Sequence, residues 1–368
     1  MNLGVAAFTD TYLPTVNGVS YTVQEWLDRW TSDRGRMDVV YPGSDGYDPD
    51  DGEHPVRSLP FPFYEGFRLG TPSVPAAVND VDLVHAHTPF SIGLAGMRLA
   101  NNLKVPFVAS YHTPTGEYTE YLAPTERIAS GLERVTSVYE RWFLERAEAI
   151  VAPSETTRRH LEEVVGVDGR VEVIPNGVDV DFFEPVDPGG FLRRHDVDRD
   201  RPVVGYTGRQ GYEKHLSELL EAVDGLDVTV LMGGDGPAHE DLRDQAQSID
   251  ADVRFLGFLD REELPAFYSA LDTFAFPSPI ETQGLVALES VACGTPVVGC
   301  DEGALANTID HGETGYNYPS GDPEAFRDAI RRALAETESL RETCLDRREE
   351  LTVDRSVQRL ADLYESLR

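Results

Sequence analysis

Two carboxylates bracket a short apolar run in the segment ETQGLVALES: Glu281 opens it, and Glu289 follows after seven uncharged residues. The surrounding stretch, TFAFPSPIETQGLVALESVACGTPVV, reads as strand, Pro-marked loop, helix and strand. The helix is expected from Gly284 to about Cys293. Glu281 then lies in the loop at its N-terminus, and Glu289 on its second turn. A wholly helical path would set them about 12 Å apart along the axis. An acid–nucleophile pair needs roughly 5–5.5 Å. The two are therefore expected to hold two ends of one extended ligand, with the amides near Gly284 and Leu285 facing an anion between them. Hydroxyls at both ends and phosphates in the middle describe a nucleotide-sugar. The plainer alternative is capping by Glu281 and an incidental helix residue at 289.

Other stretches offer matching chemistry. GYTGRQGYEKHLSELLEAV ends a strand at Gly208 and starts a helix near Glu213 or Lys214. Arg209 and Lys214 flank that turn, one fork and one point charge suited to a diphosphate. Two incidental surface bases are the alternative, weakened because the chain has only two lysines, Lys104 and Lys214. FTDTYLPTVNGVSYTVQEWL places Asn17-Gly18 before a helix starting near Val19, whose amides make an anion site; a plain strand–helix turn is the alternative. LMGGDGPAHEDL is a glycine-rich strand end without the Gly-Lys-Ser/Thr of a Walker loop or the first-strand dinucleotide pattern. It is either cleft lining or a structural turn.

His85, His87 and His112 stand in LVHAHTPF and ASYHTPTGEY. The first two share a strand face, but a zinc site needs a third ligand and usually an HExxH-type helix. A metal is not expected. His112 follows an apolar strand and opens a loop, where catalytic groups sit in open α/β sheets; a structural histidine is the alternative. The Asp-x-Asp pairs at 48/50, 179/181, 196/198 and 198/200 are chance matches in so acidic a chain. The aromatics Phe61, Phe63, Tyr64 and Phe67 read as inward packing or as a surface for an apolar or lipid acceptor. A nearly neutral helix over 126–149, with Trp142 and Phe143 near its end, reads as core packing or membrane-surface contact.

These residues need a scaffold, and the composition bounds it. A chain of 368 residues suits two domains, and 40% hydrophobic content leaves burial unrestricted. Acids outnumber bases 65 to 32, giving a net charge of −33, which argues against nucleic acid. The acids are scattered, a pattern expected of adaptation to high salt, where repulsion is screened within a few Å; an ordinary acidic cytosolic protein is the alternative. Cys293, Cys300 and Cys344 show no metal spacing and suit a reducing cytoplasm. MNLGVAAFTD is not expected to be a signal peptide. No apolar run of about 18 residues occurs, so no spanning helix is expected.

Short apolar strands alternate with amphipathic helices, which implies parallel sheets covered on both faces. The series restarts near residue 201, after the Pro/Gly/charge-rich EPVDPGGFLRRHDVDRDRP. Two doubly wound α/β domains are expected, 1–185 and 186–353, linked near 177–200 and facing across a cleft that is the default ligand site. The segment DRSVQRLADLYESLR puts Val357, Leu360, Tyr364 and Leu367 on one stripe. Helix 354–368 is expected to complete one of the two domains, the first by preference.

Nearly the whole chain resembles the retaining glycosyltransferase family 4, of GT-B fold with two facing Rossmann-like domains. The resemblance rests on PTVNGVS, DLVHAHTPF, YHT, PNGVD, GR with Lys214, GGDGP, FLG, and the Glu-x7-Glu stretch with GTPVV. It implies that Glu281 touches donor sugar hydroxyls and Glu289 the ribose. Arg209 and Lys214 would bind the diphosphate, with Gly18 amides facing it from the other domain. His112 would line the reacting centre, and the loop at Phe258 would border the base. The chain departs at Gln283, where the family commonly has an aromatic; this bears on side-chain packing, not on backbone donors. The implied reaction is hexose transfer from a nucleoside-diphosphate sugar with retention, by a front-face route in which the leaving phosphate takes the acceptor proton, without a metal or other cofactor. PFPFY…FRLG and YHTPTGEY look most like members acting on lipid acceptors, which implies a cytoplasmic enzyme peripheral to the inner face of the membrane. The rivals are another GT-B enzyme, such as an epimerase or phosphorylase, and a non-catalytic nucleotide-sugar-binding subunit.

Overall fold

The computed structural model describes residues 3–61, 67–112 and 136–368. The chain forms two units, Met1–Asn176 with Val353–Arg368, and Gly177–Thr352.

The first unit is built on a parallel sheet. Its strands are β1 (Leu3–Phe8), β2 (Gly35–Pro42) and β3 (Glu53–Val56), then β6 (Leu83–Ala86), β7 (Phe107–Ser110), β8 (Ala149–Ala152) and β9 (Val171–Val173). Between β3 and β6 a short antiparallel hairpin pairs β4 (Ser58–Pro60) with β5 (Arg68–Gly70). The sheet order is β3-β2-β1-β6-β7-β8-β9, so Val5 lies between Met37 and Leu83. Alternation along β1 assigns Val5 and Ala7 to one core and Ala6 and Phe8 to the other. Covering both faces explains why the strands read as continuous apolar runs.

The first core is closed by Trp26 and Trp30 of helix Gly18–Asp33 and by Val357, Leu360 and Tyr364 of helix Val353–Ser366. The stripe expected from sequence is the buried one, and it lies on the first unit. Helix Ser91–Leu103 covers the other face. Its N-terminus is capped by Asp10 from the end of β1, which accepts from the amides of Ile92 and Gly93 and the hydroxyls of Thr88 and Ser91. Burial raises the Asp10 pKa against these bonds, which pull it down.

The second unit holds a six-stranded parallel sheet: β10 (Val203–Thr207), β11 (Thr229–Gly233), β12 (Asp252–Gly257), β13 (Thr273–Phe276), β14 (Val297–Cys300) and β15 (Gly315–Tyr318). The order is β12-β11-β10-β13-β14-β15. The expected link at 177–200 is part of this unit: Phe183, Phe191, Leu192 and Val197 are buried in its core. Four apolar anchors hold the stretch down despite its Pro/Gly/charge-rich composition.

Both sheets reverse their winding beside the first strand of the unit, between β1 and β6 and between β10 and β13. Ligands of open α/β sheets bind beyond the carboxyl ends of the strands at such a switch point. In the second unit those ends lead into Gly208–Gly211 and Pro277–Gly284.

Candidate functional site

The loop after β10 sets the first half of the site. Gly208 is followed by Arg209, whose carbonyl accepts from the Tyr206 hydroxyl at 2.9 Å. A 3-10 turn spans Tyr212–Lys214, and the α-helix starts only at Leu216. The helix start expected near Glu213 is displaced because His215 adopts a left-handed conformation, φ +52°, which an α-helix cannot continue through.

The loop after β13 sets the second half. Glu281 precedes Gly284, which caps helix Leu285–Ala292 in a left-handed conformation, φ +78°. A Cβ at Gly284 would also lie 2.8 Å from the Leu305 side chain. The amides of Gly284, Leu285 and Val286 donate to no described residue. They point from the positive end of an eight-residue helix. The Glu281 carbonyl accepts from Ala304 and that of Gln283 from the Thr308 hydroxyl, which fixes the loop. Gln283 is buried.

The two halves meet. Lys214 Nζ lies 2.6 Å from Glu281 Oε1, with both side chains mostly buried, at 17% and 16% exposure. Arg209 pairs with Glu213 on the same loop. Glu289, half-buried on the second helical turn, accepts from the Tyr268 hydroxyl at 2.7 Å through Oε2. Burial pushes its carboxyl up, while that bond and the Arg261 charge pull it down.

The glycine-rich end of β11 lies against this site. Gln210, fully buried, donates through Nε2 to the Gly234 carbonyl at 2.9 Å and faces His239 Nδ1 with Oε1 at 2.7 Å. A carbonyl only accepts, so the amide is oriented and His239 must carry its proton on Nδ1. The Gly234 amide donates to the Gly257 carbonyl at 2.6 Å, which brings the exposed Phe258 beside the loop. Gly234 has φ +96°, and a Cβ there would sit 2.0 Å from the Gly208 carbonyl oxygen. Gly234→Ala is therefore expected to cost about 2–4 kcal/mol through strain and overpacking. Urea unfolding of the variant beside wild type measures it; an unchanged midpoint would refute the close approach.

The remaining expected residues lie in the first unit. Gly18 is the first residue of its helix. Asn17 Oδ1 caps the Ser20 amide at 2.9 Å, which leaves the Gly18 and Val19 amides unbonded among the described residues. His112 is buried at the end of β7, its Nε2 3.1 Å from His87 Nδ1, and both rings flank Trp26. His85 bridges the Tyr364 hydroxyl, 2.6 Å from Nδ1, and the Ser110 hydroxyl, 2.8 Å from Nε2. Burial lowers all three histidines, His85 to about 3, His112 to about 4, and His87 well below its ordinary value. Among the described residues no group of three or more His, Cys, Asp or Glu side chains is arranged to hold a metal. The three cysteines are free and buried. Phe63, Tyr64 and 113–135, which include part of the expected helix, lie outside the described residues.

Sequence reasoning passed over Gln210, Glu213, Tyr268 and His239. Glu213 alone left a trace, four residues from Arg209 and beside the rare Lys214.

The family described as Glycosyltransferase Family 4 matches residues 16–182, and that described as Glycosyl transferases group 1 matches 191–348. The chain is 29% identical to the alpha-monoglucosyldiacylglycerol synthase of Streptococcus pneumoniae, covering 98% of this chain and 85% of that protein. It is 30% identical to a GDP-mannose-dependent alpha-mannosyltransferase of Mycobacterium tuberculosis, over 87% of this chain and 85% of the other. Among solved structures, a sucrose-phosphate synthase from Thermosynechococcus elongatus superposes with a TM-score of 0.78 at 21% identity, covering 100% and 99% of the two chains. Anabaena HepE, solved with UDP and glucose, gives 0.75 at 19%, with both chains wholly covered. Two Rossmann-like units of this kind are the GT-B fold, and the chain belongs to the family 4 glycosyltransferases.

Proposed function

We propose that the protein moves a hexose from a nucleoside-diphosphate sugar to a membrane lipid, with retention at the anomeric carbon. The observation that carries the donor reading is the Lys214–Glu281 pair at 2.6 Å beside the amides of Gly284, Leu285 and Val286, which donate to no described residue. Cation, carboxylate and amides together suit a diphosphate next to a sugar. Arg209 and Lys214 neutralise the diphosphate as it departs. Glu281 accepts from sugar hydroxyls, Glu289 from the ribose, and the Phe258 loop borders the base. Gly18 gives a helix-terminal amide to a phosphate oxygen, and His112 gives a neutral ring to the reacting atoms. The leaving phosphate oxygen takes the proton of the acceptor hydroxyl as the new glycosidic bond forms on the same face.

Two observations support the lipid acceptor. A relative spanning nearly all of the chain is named for a glucosyldiacylglycerol product. On the first unit, Leu59 and Leu69 pair across the β4–β5 hairpin and are 73% and 45% exposed, while Val138 and Trp142 are also exposed. No helix among the described residues is long and apolar enough to cross a membrane, so contact with the cytoplasmic face would be peripheral. The test is a panel of labelled UDP-, GDP- and ADP-hexoses offered with vesicles of diacylglycerol and polar lipid. A lipid-linked glycoside with the donor's anomeric configuration supports the reading. Inversion, a soluble acceptor used better than lipid, or epimerised donor without a glycoside overturns it.

Two further expectations belong to this reading. Two bases and the helix amides neutralise the diphosphate, so excess EDTA is expected to leave most activity; complete loss restored by magnesium or manganese would refute it. With a net charge of −33, the melting temperature is expected to rise between low and molar salt as repulsion is screened. A flat or falling melting temperature would refute salt adaptation.

A further inference from the structure

We propose that Glu213 is a positioning residue, holding the Arg209 guanidinium in place for a diphosphate, and that residue 211 is glycine to make room for it. The inference rests on the diphosphate reading of the site. Glu213 and Arg209 are four residues apart, but no helical face pairs them: a loop at Gln210–Gly211 and the 3-10 turn Tyr212–Lys214 lie between them. The Glu213 side chain is 13% exposed and that of Arg209 is 35% exposed. The chain fixes both ends of the pair. Tyr206 holds the Arg209 carbonyl, and Gln210 is buried and bonded through its backbone and side chain to the glycine-rich loop.

Gly211 supplies the independent observation. Its backbone, φ −92° and ψ 156°, is open to any residue. A Cβ there would lie 2.1 and 2.2 Å from the two Glu213 carboxylate oxygens. What a side chain at 211 would have to displace is the Glu213 carboxylate, not the backbone. The two cations are alike in this respect: Lys214 meets Glu281, and Arg209 meets Glu213. The two carboxylates differ in reach. Glu281 sits at the helix N-terminus where a ligand would arrive, whereas Glu213 shares the cation's own loop. A carboxylate beside an anion site opposes the anion by charge alone. It is useful only if the order it imposes on a long, rotamer-rich arginine outweighs that repulsion.

This sign difference gives the test. Binding of UDP, GDP and ADP is measured by calorimetry, and the tightest is carried through a double-mutant cycle. Glu213→Gln is expected to weaken that diphosphate about tenfold, although it removes a negative charge. Arg209→Gln is expected to weaken it about thirtyfold, and the double variant to bind no more weakly than Arg209→Gln alone. Gly211→Ala, which only pushes the carboxylate aside, is expected to weaken binding about fivefold at an unchanged melting temperature. Unchanged or tighter binding by Glu213→Gln overturns the inference. So does an equal loss in the Arg209→Gln background, which would mark general structural damage. If Arg209→Gln binds like wild type, or wild type binds no nucleoside diphosphate, the diphosphate reading itself falls and the inference with it.

Discussion

Glu281→Gln is expected to lower kcat by ten- to a hundredfold or more while tightening free nucleoside diphosphate about two- to fivefold. The sugar ring gains positive charge at the transition state, and a hydrogen bond to a charged group is worth roughly 1.5–3 kcal/mol. The free nucleoside diphosphate has no sugar, so that loss does not reach it. The ion pair sets the second sign. Lys214 Nζ lies 2.6 Å from Glu281 Oε1, and breaking such a pair releases the cation for phosphate at a gain of about 0.5–1 kcal/mol. Glu289→Gln should behave differently. The ribose is unchanged during transfer, so uniform binding is lost: donor KM rises, the free nucleoside diphosphate weakens, and kcat is spared. The Tyr268 hydroxyl, 2.7 Å from Oε2, can still donate to the glutamine carbonyl, so the fold survives. Titration of the free nucleoside diphosphate into both variants decides. Equal weakening by both, or weakening by Glu281→Gln alone, would show that the two carboxylates do not divide the ligand.

How far these residues could be read beforehand depended on range. Parallel strands buried on both faces leave apolar runs, so both sheets were legible. Lys214 stood out because the chain has one other lysine. The Glu281–helix–Glu289 order was legible from Gly284 and the Pro-marked loop. Contacts between distant segments were not. Gln210 reaches a carbonyl 24 residues away and a histidine 29 away, and no local pattern announces either bond. His215 interrupts the helix through a left-handed backbone that hydrophobic periodicity cannot show. The stretch 177–200 resembles a link because Phe183, Phe191, Leu192 and Val197 follow no regular period. Strand alternation put His85 and His87 on one face, but the Tyr364 hydroxyl comes from 279 residues further along.

Those histidines make the first unit sensitive to mild acid. His85, His87 and His112 are buried beside Trp26, and burial depresses all three, two of them to about 3 and about 4. A histidine depressed in the folded state is protonated first in the unfolded chain. Its contribution to stability is complete above an unfolded pKa near 6.5 and is lost as pH falls from there towards the folded value. From pH 7.5 to pH 5.5 each should cost about 1.4 kcal/mol, roughly 4 kcal/mol together. Asp10, raised by burial, acts in the opposite sense, holding its proton in the folded state as pH falls. The chain supplies its own probe: Trp26, Trp30 and Trp142 are its three tryptophans, and all belong to the first unit. Urea unfolding followed by tryptophan fluorescence, at fixed molar salt, should show the loss between the two pH values. His87→Asn, compared with wild type, cancels the Asp10 contribution and should reduce the proton uptake on unfolding near pH 5.5 by about one. Stability that holds level from pH 7.5 to 5.5, with the same slope in His87→Asn, would mean that the histidines are not kept neutral by burial.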